Sequence, residues 1–145
     1  MTPEKQQILF DRYPTLFAYA RKESQHSIAL GITCNDGWFD LIDTLCATLD
    51  RLVVDRTQRR AQAGLPEEAN NIRVVQIKEK FGSLRFYVAG VPASGDEPNA
   101  VYTAIWLAET LSSRICESCG APAKLDGEHG WWRTECGPCQ ARRRA

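Results

Sequence analysis

Apolar residues recur at two different periods along the chain, and the alternation of those periods outlines the elements. Thr2-Pro3-Glu4 reads as a helix opening, with a hydroxyl cap, a proline in the first turn and an acid beside it. Ile8 and Leu9 supply its apolar side, and Tyr13-Pro14 breaks it. A second short helical piece is expected through Leu16, Phe17 and Tyr19. From Ser27 to Cys34, Ile28, Leu30 and Ile32 alternate with Ala29, Gly31 and Thr33, which is the period of a strand. Asn35-Asp36-Gly37 ends that strand and caps the next helix. Trp38, Leu41, Ile42, Leu45, Leu49, Leu52 and Val53 then recur at helical spacing. Arg56, Arg59 and Arg60 fall in the last turns of this long helix, where cations oppose the dipole, and Gly64-Leu65-Pro66 stops it.

The second half repeats the contrast. Ile72 to Glu79 and Leu84 to Val88 predict a β-hairpin about Lys80-Phe81-Gly82-Ser83. Two strands are marginal alone, so the strand ending at Cys34 is expected to join them. Val91 to Asn99 is a loop rich in proline, glycine and acid. Ala100 to Arg114 predicts an amphipathic helix with Val101, Ile105, Ala108, Leu111 and Ile115 on one side. It runs without a linker into a cysteine pair, so the C-terminal segment is expected to be joined firmly to the body. The expected fold class is α+β: a small antiparallel sheet packed with helices over residues 1–113, and a C-terminal four-cysteine unit over residues 114–145, continuous with the last long helix.

Composition adds bounds. With 145 residues the chain has room for one domain and a small appendage, and at that length roughly two-thirds of the unfolded surface is buried on folding. Hydrophobic residues make up 43% and charged ones 25%, a globular balance and not a disordered one. The first residues carry no apolar signal region, and no apolar run approaches the ~18 residues of a membrane span. A soluble cytoplasmic protein with no membrane partner is therefore expected.

Six cysteines decide more. Cys116, Cys119, Cys136 and Cys139 form C-x2-C-x16-C-x2-C, whereas Cys34 and Cys46 stand apart. A two-residue spacer lets a tight knuckle put two thiolates on one ion, and a longer loop returns the second pair to complete a tetrahedron. Gly120 follows the first pair where a knuckle needs positive φ. Pro138 suits the first turn of a helix whose N-terminus favours thiolate charge. The pattern predicts one structural zinc per chain, in a finger of treble-clef or ribbon type. Two disulfides would require export, which nothing suggests. The redox reading of Cys136-Gly137-Pro138-Cys139 needs a long following helix and a further strand, and only six residues follow Cys139. Cys34 and Cys46 are read as buried thiols. The competing reading is a Cys34 nucleophile, with His26 nearby in sequence, although no defensible motif spacing supports it.

Charge looks uninformative in total, with 18 bases against 18 acids, but it is segmented. Residues 1–50 carry four bases and seven acids, residues 51–90 eight and four, residues 91–113 none and three, and residues 114–145 six and four. A uniformly basic nucleic-acid binder is excluded, whereas a local basic face is allowed. Candidate binding residues are Arg56, Arg59, Arg60, Lys78, Lys80, Arg85, Arg142 and Arg143. The competing reading of the basic middle is a solvated helix end and the wet face of a hairpin. Trp131 and Trp132 complete the set: one is expected to pack over the metal site, the other to be exposed as an anchor for a partner. Asp36, Asp40 and Glu79 are residue types a metal nuclease would use, but they show no catalytic spacing.

Four pieces together resemble a family of small, uncharacterised zinc-finger proteins of phages and prophages. They are Leu9-Phe10-Asp11-Arg12-Tyr13-Pro14-Thr15-Leu16-Phe17, the run from Gly31 through Cys34-Asn35-Asp36-Gly37-Trp38 to Ile42, the run from Val75 through Lys78-Glu79-Lys80-Phe81-Gly82-Ser83 to Tyr87, and the finger from Cys116 to Cys139. The resemblance supplies a setting and no mechanism. It implies a protein acting in the cytoplasm of a bacterial host cell, and a non-enzymatic accessory protein that binds a host protein, as a host-takeover or anti-defence inhibitor. The alternative is a regulatory nucleic-acid-binding zinc-finger module, and no small-molecule substrate is expected. A nuclease or a cysteine-dependent enzyme is the remaining reading.

Overall fold

Pro3 in the first turn and Glu4 beside it start helix α1 (Pro3–Arg12), whose buried contact is Leu9. The structure is a computed structural model that describes residues 1–18, 31–65, 72–91, 99–127 and 130–145. The expected Thr2 hydroxyl cap on α1 is not made. Thr2 instead gives its N–H to Asp36 Oδ1 at 2.7 Å and its hydroxyl to Asp36 Oδ2 at 3.2 Å. The Thr2 N–H holds the Asp36 carboxyl below its ordinary range, against burial and with help from Lys5. After the break at Tyr13, the Phe17 N–H reaches the Tyr13 carbonyl at 3.1 Å and closes one helical turn that buries Leu16 and Phe17 completely. Tyr19, His26 and the Ser27 to Leu30 part of the strand expected from Ser27 to Cys34 lie outside the described residues.

Asp36–Trp38 forms a 3-10 turn that leads into α2 (Phe39–Gln62). The side chains of Asn35 and Asp36 do not cap it, because Asp36 is turned towards Thr2. Ile42, Leu45, Cys46 and Leu49 are the buried stripe of α2, and Gly64 closes the helix at φ +66°. β1 (Arg73–Lys80) and β2 (Ser83–Ala89) pair antiparallel, with Lys80 opposite Ser83 and Ile77 opposite Phe86. Strict alternation fails along β1, where buried Val74 and Ile77 are three residues apart. A bulge between Val74 and Gln76 absorbs the extra residue and returns both to the core face.

The segment ending at Cys34 joins this hairpin more narrowly than expected. Among the described residues only Thr33 pairs, in a parallel bridge to Lys78. Its N–H meets the Ile77 carbonyl at 3.0 Å, and its carbonyl accepts the Glu79 N–H at 3.1 Å. The 3-10 turn begins three residues later, so the chain leaves the sheet at once.

The Asn99 side chain caps α3 (Ala100–Ser112) by accepting the Val101 N–H at 3.0 Å. Val101, Ile105, Ala108 and Ser112 face inward and pack on α2 and β2. Leu111, expected on that side, is 40% exposed. The inner stripe steps 101-105-108-112, and Leu111 lies about one residue's rotation (~100°) away from it. One core gathers Leu9, Leu16, Phe17, Trp38, Ile42, Leu49, Val74, Ile77, Leu84 and Phe86 between these helices and the hairpin.

Candidate metal centre and its seat on the body

Beyond α3 the chain turns back on itself. Ile115 bridges Pro122, the Ala123 N–H meets the Arg114 carbonyl at 2.9 Å, and the Cys116 N–H meets the Ala121 carbonyl at 2.7 Å. Gly120 sits at φ +79° inside this knuckle, the conformation expected of it. A short antiparallel pair comes next, β3 (Lys124–Asp126) with β4 (Arg133–Glu135). Then α4 (Gly137–Arg144) opens at Cys136, with Pro138 in its first turn and Cys139 buried. Knuckle, hairpin and a helix that starts on the second cysteine pair make the treble-clef arrangement, of the two types the spacing allowed.

Cys116, Cys119, Cys136 and Cys139 bring their sulfurs within 4.8 Å of one another. All are free thiols, and Cys119 Sγ lies 3.6 Å from Cys136 Sγ. Four sulfurs at ~2.3 Å from one ion in a tetrahedron stand ~3.8 Å apart, so the cluster has the dimensions of a metal site. Burial raises the Cys116 thiol, but the N–H groups of Cys136, Cys119 and Ser118 outweigh that and favour its thiolate, while burial and the neighbouring thiols raise Cys139. Arg142 Nη2 donates to Cys139 Sγ at 2.8 Å, and Arg143 Nε to Glu135 Oε2 at 2.8 Å. These two arginines therefore brace the finger.

The knuckle sits on the body through main-chain and buried polar contacts. The Glu117 carboxylate accepts the Asn35 N–H at 2.9 Å, and its carbonyl accepts the Gly37 N–H at 2.7 Å. Burial raises the Glu117 carboxyl and the Asn35 N–H opposes that rise. Trp38, fully buried, donates its indole N–H to the Ile115 carbonyl at 2.8 Å. A second seat joins the two hairpins: Thr134 Oγ1 donates to the Gly82 carbonyl at 2.6 Å, and Gly82 lies against Leu125 and Arg133.

The remaining sequence candidates fall in separate places. Arg56, Arg59 and Arg60 stand in the final turns of α2. Lys78 and Arg85 are direct cross-strand partners; Lys78 lies over the Tyr87 ring at 5.6 Å, while Arg85 reaches Ser83 Oγ at 2.8 Å. Lys80 lies at the hairpin tip with its ammonium 5.3 Å from the Phe81 ring centre. Trp131 and Trp132 are 70% and 49% exposed, so neither is buried over the cluster as expected of one of them. The Trp132 ring leans on Gly127, where a Cβ would meet it within 2.7 Å, and Arg133 lies 5.9 Å from the Trp131 ring. Asp36 is committed to Thr2 and Glu79 to the Gly82 N–H at 2.5 Å. Among the described residues the four cysteines are the only group of three or more metal-ligating side chains.

Phe81 is a residue that the sequence patterns alone do not single out. It holds φ +53° beside Gly82 at +73°, the two positive values of a type I′ turn, and it is 63% exposed. That first position suits asparagine or glycine, and a bulky ring there costs of order 1–3 kcal/mol. The available signal is the two-residue Phe81-Gly82 loop between two strand patterns.

Comparison of the chain with protein-family models, with curated proteins and with solved structures gives no match.

Proposed function

We propose that this chain is a non-enzymatic, zinc-stabilised accessory protein that binds another protein through the joined tips of its two hairpins. Zinc is the ion of choice for four thiolates in a tetrahedron, and a site closed by four cysteines leaves no position for activating water. The carrying observation is the group of open aromatics Phe81, Trp131 and Trp132 on hairpins locked together by Thr134 and Gly82. The exposed Phe81 ring at a strained turn position with Lys80 against it, and the Trp131 ring with Arg133 against it on the hairpin that Gly82 joins, have the composition of interface anchors. The resemblance to phage and prophage proteins supports a bacterial host protein as the partner, in the cytoplasm, with inhibition of host or defence machinery as the role. No helix among the described residues is long and apolar enough to cross a membrane.

Capture from bacterial lysate with immobilised zinc-loaded chain tests this reading. A stoichiometric partner is expected with the wild type and not with Phe81→Ala or Trp131→Ala. Repeated recovery of the chain alone counts against it.

One observation favours nucleic acid as a second reading. Lys80 over Phe81 and Arg133 over Trp131 pair a stacking surface with a cation, as single-strand binders do. Arg142 and Arg143, engaged within the finger, weigh the other way. A binding titration against salt separates the two, since several phosphate contacts give a steep slope.

A further inference from the structure

Between Asn99 and Ser113 the single charged residue is Glu109, and its Oε1 accepts the Phe86 N–H at 2.9 Å, on the side of α3 that faces the sheet. The opposite half of α3 presents Tyr102, Trp106, Leu107 and Leu111, exposed by 54%, 66%, 53% and 40%. Thr103 and Thr110 lie among them. Their hydroxyls are turned back onto the helix, to the Asn99 carbonyl at 3.2 Å and the Trp106 carbonyl at 2.8 Å. The outer face is therefore uncharged along its 13 residues and almost wholly apolar.

Such a face rejects most occupants. Phosphates or a charged protein surface would meet no counter-charge here, and would lose water without a partner. A second copy of the same face is uncharged by construction and of equal length, about 20 Å. Aromatic side chains offer ~150–250 Å² each, so these exposed fractions with the two threonines give roughly 1,000 Å² across a pair, the size at which specific interfaces begin. A two-fold axis would set each Trp106 against the other helix, which is how self-complementary contacts close.

We propose that the outer face of α3 is a homodimer interface, in which Tyr102, Trp106, Leu107 and Leu111 pack on the same residues of a second copy. Sedimentation velocity of the full, zinc-loaded chain across a wide concentration range tests it. The expected mass rises from 16.3 kDa to twice that value with concentration. Trp106→Glu and, separately, Leu107→Lys should raise the dissociation constant at least ~10-fold, as loss of a buried anchor does. Both positions are exposed, so circular dichroism and zinc content should be unchanged; if one variant fails to fold, the other decides. Trp131→Glu, at the hairpin tips, should leave the dimer intact. A monomer throughout, a dimer indifferent to both α3 substitutions, or a dimer lost in Trp131→Glu would each overturn the proposal. A chain that stays monomeric and takes a bacterial protein through Trp106 overturns it as well and assigns the face to that partner.

Discussion

The Gly37 N–H donates to the Glu117 carbonyl at 2.7 Å, so the first turn before α2 lies directly on the knuckle that carries Cys116 and Cys119. Any Cβ at residue 37 would overlap the Cys116 and Glu117 carbonyls and the Gly120 amide, all main-chain atoms. Gly37 is thus required by close approach and not by an unusual φ. Gly37→Ala should cost at least ~1–3 kcal/mol, the range for overpacking without room to relax. Thermal unfolding with zinc bound measures the loss, and the variant should also release zinc faster to a chelator.

Metal removal should reach beyond the finger. Structural four-cysteine sites hold zinc with ~10–16 kcal/mol, and much of that is folding free energy. Here the knuckle also accepts the indole N–H of the fully buried Trp38 at the Ile115 carbonyl. Chelation, or Cys116→Ser, should therefore lower the unfolding temperature of the whole chain and diminish the near-ultraviolet circular dichroism of the core tryptophan. A finger that unravels while the body unfolds at its original temperature would show that the contacts at Gly37, Glu117 and Ile115 carry no coupling.

Thr134 is fully buried in the middle of β4 and ties that strand to the tip of the β1–β2 hairpin through the Gly82 carbonyl. Thr134→Val keeps the shape, but removes the donor and leaves the Gly82 carbonyl unsatisfied, at about 1–3 kcal/mol. Thr134→Ser should recover most of the stability. If the joined hairpins are the binding surface, Thr134→Val should also weaken partner capture more than its stability loss explains, because the turn that carries Phe81 is then no longer tied to β4 through Gly82.

What could be read in the sequence was what depends on neighbours. The 3.6-residue period of Trp38 to Val53, the turn between Val75 and Tyr87 and the two-residue spacers of the cysteine pairs are local, and each is where its pattern put it. Contacts across long separations were not legible. Asn35 meets Glu117 across 82 residues, and Asp36 turns away from its own helix towards Thr2. No local pattern announces either pairing. One of Trp131 and Trp132 is expected to be exposed and the other to pack over the metal site, whereas both are exposed. The buried residues of the finger are Cys116, Cys139, Thr134, Glu117 and Glu135, and no local pattern announces that these small and polar side chains take the interior in place of an indole.

Tyr13 should show a titration signature at alkaline pH. Its hydroxyl donates to Asp43 Oδ1 at 2.9 Å, and Arg12 pairs with the same carboxylate at 2.7 Å. Burial, followed by the hydrogen bond to Asp43 and that group's charge, pushes the Tyr13 hydroxyl from 10.0 up to about 12. The neutral form is favoured in the folded state. The contribution is therefore complete below the unfolded value near 10 and lost as pH rises through about 12. Tyr13→Phe should be less stable by about 1–2 kcal/mol at neutral pH, with the difference from wild type shrinking between those two values. Denaturant midpoints of both proteins across that window give the measurement. A constant difference would remove the pairing.

The surroundings of Cys34 are those of a packed thiol and not of a nucleophile. The thiol is 5% exposed, and burial, with Glu117 and Asp36 adding to it against the N-terminal ammonium, pushes it up to about 12. A nucleophilic cysteine needs the opposite environment, partly open and electropositive, so that the thiolate exists at neutral pH. Cys46 is fully buried, and its thiol is likewise raised by desolvation. Brief alkylation of the native, zinc-loaded chain should therefore leave both thiols unmodified by peptide mass spectrometry, whereas denatured chain reacts fully. Cys34→Ala should retain partner capture unchanged. Rapid labelling of Cys34 alone in the native protein would reopen a cysteine-dependent activity.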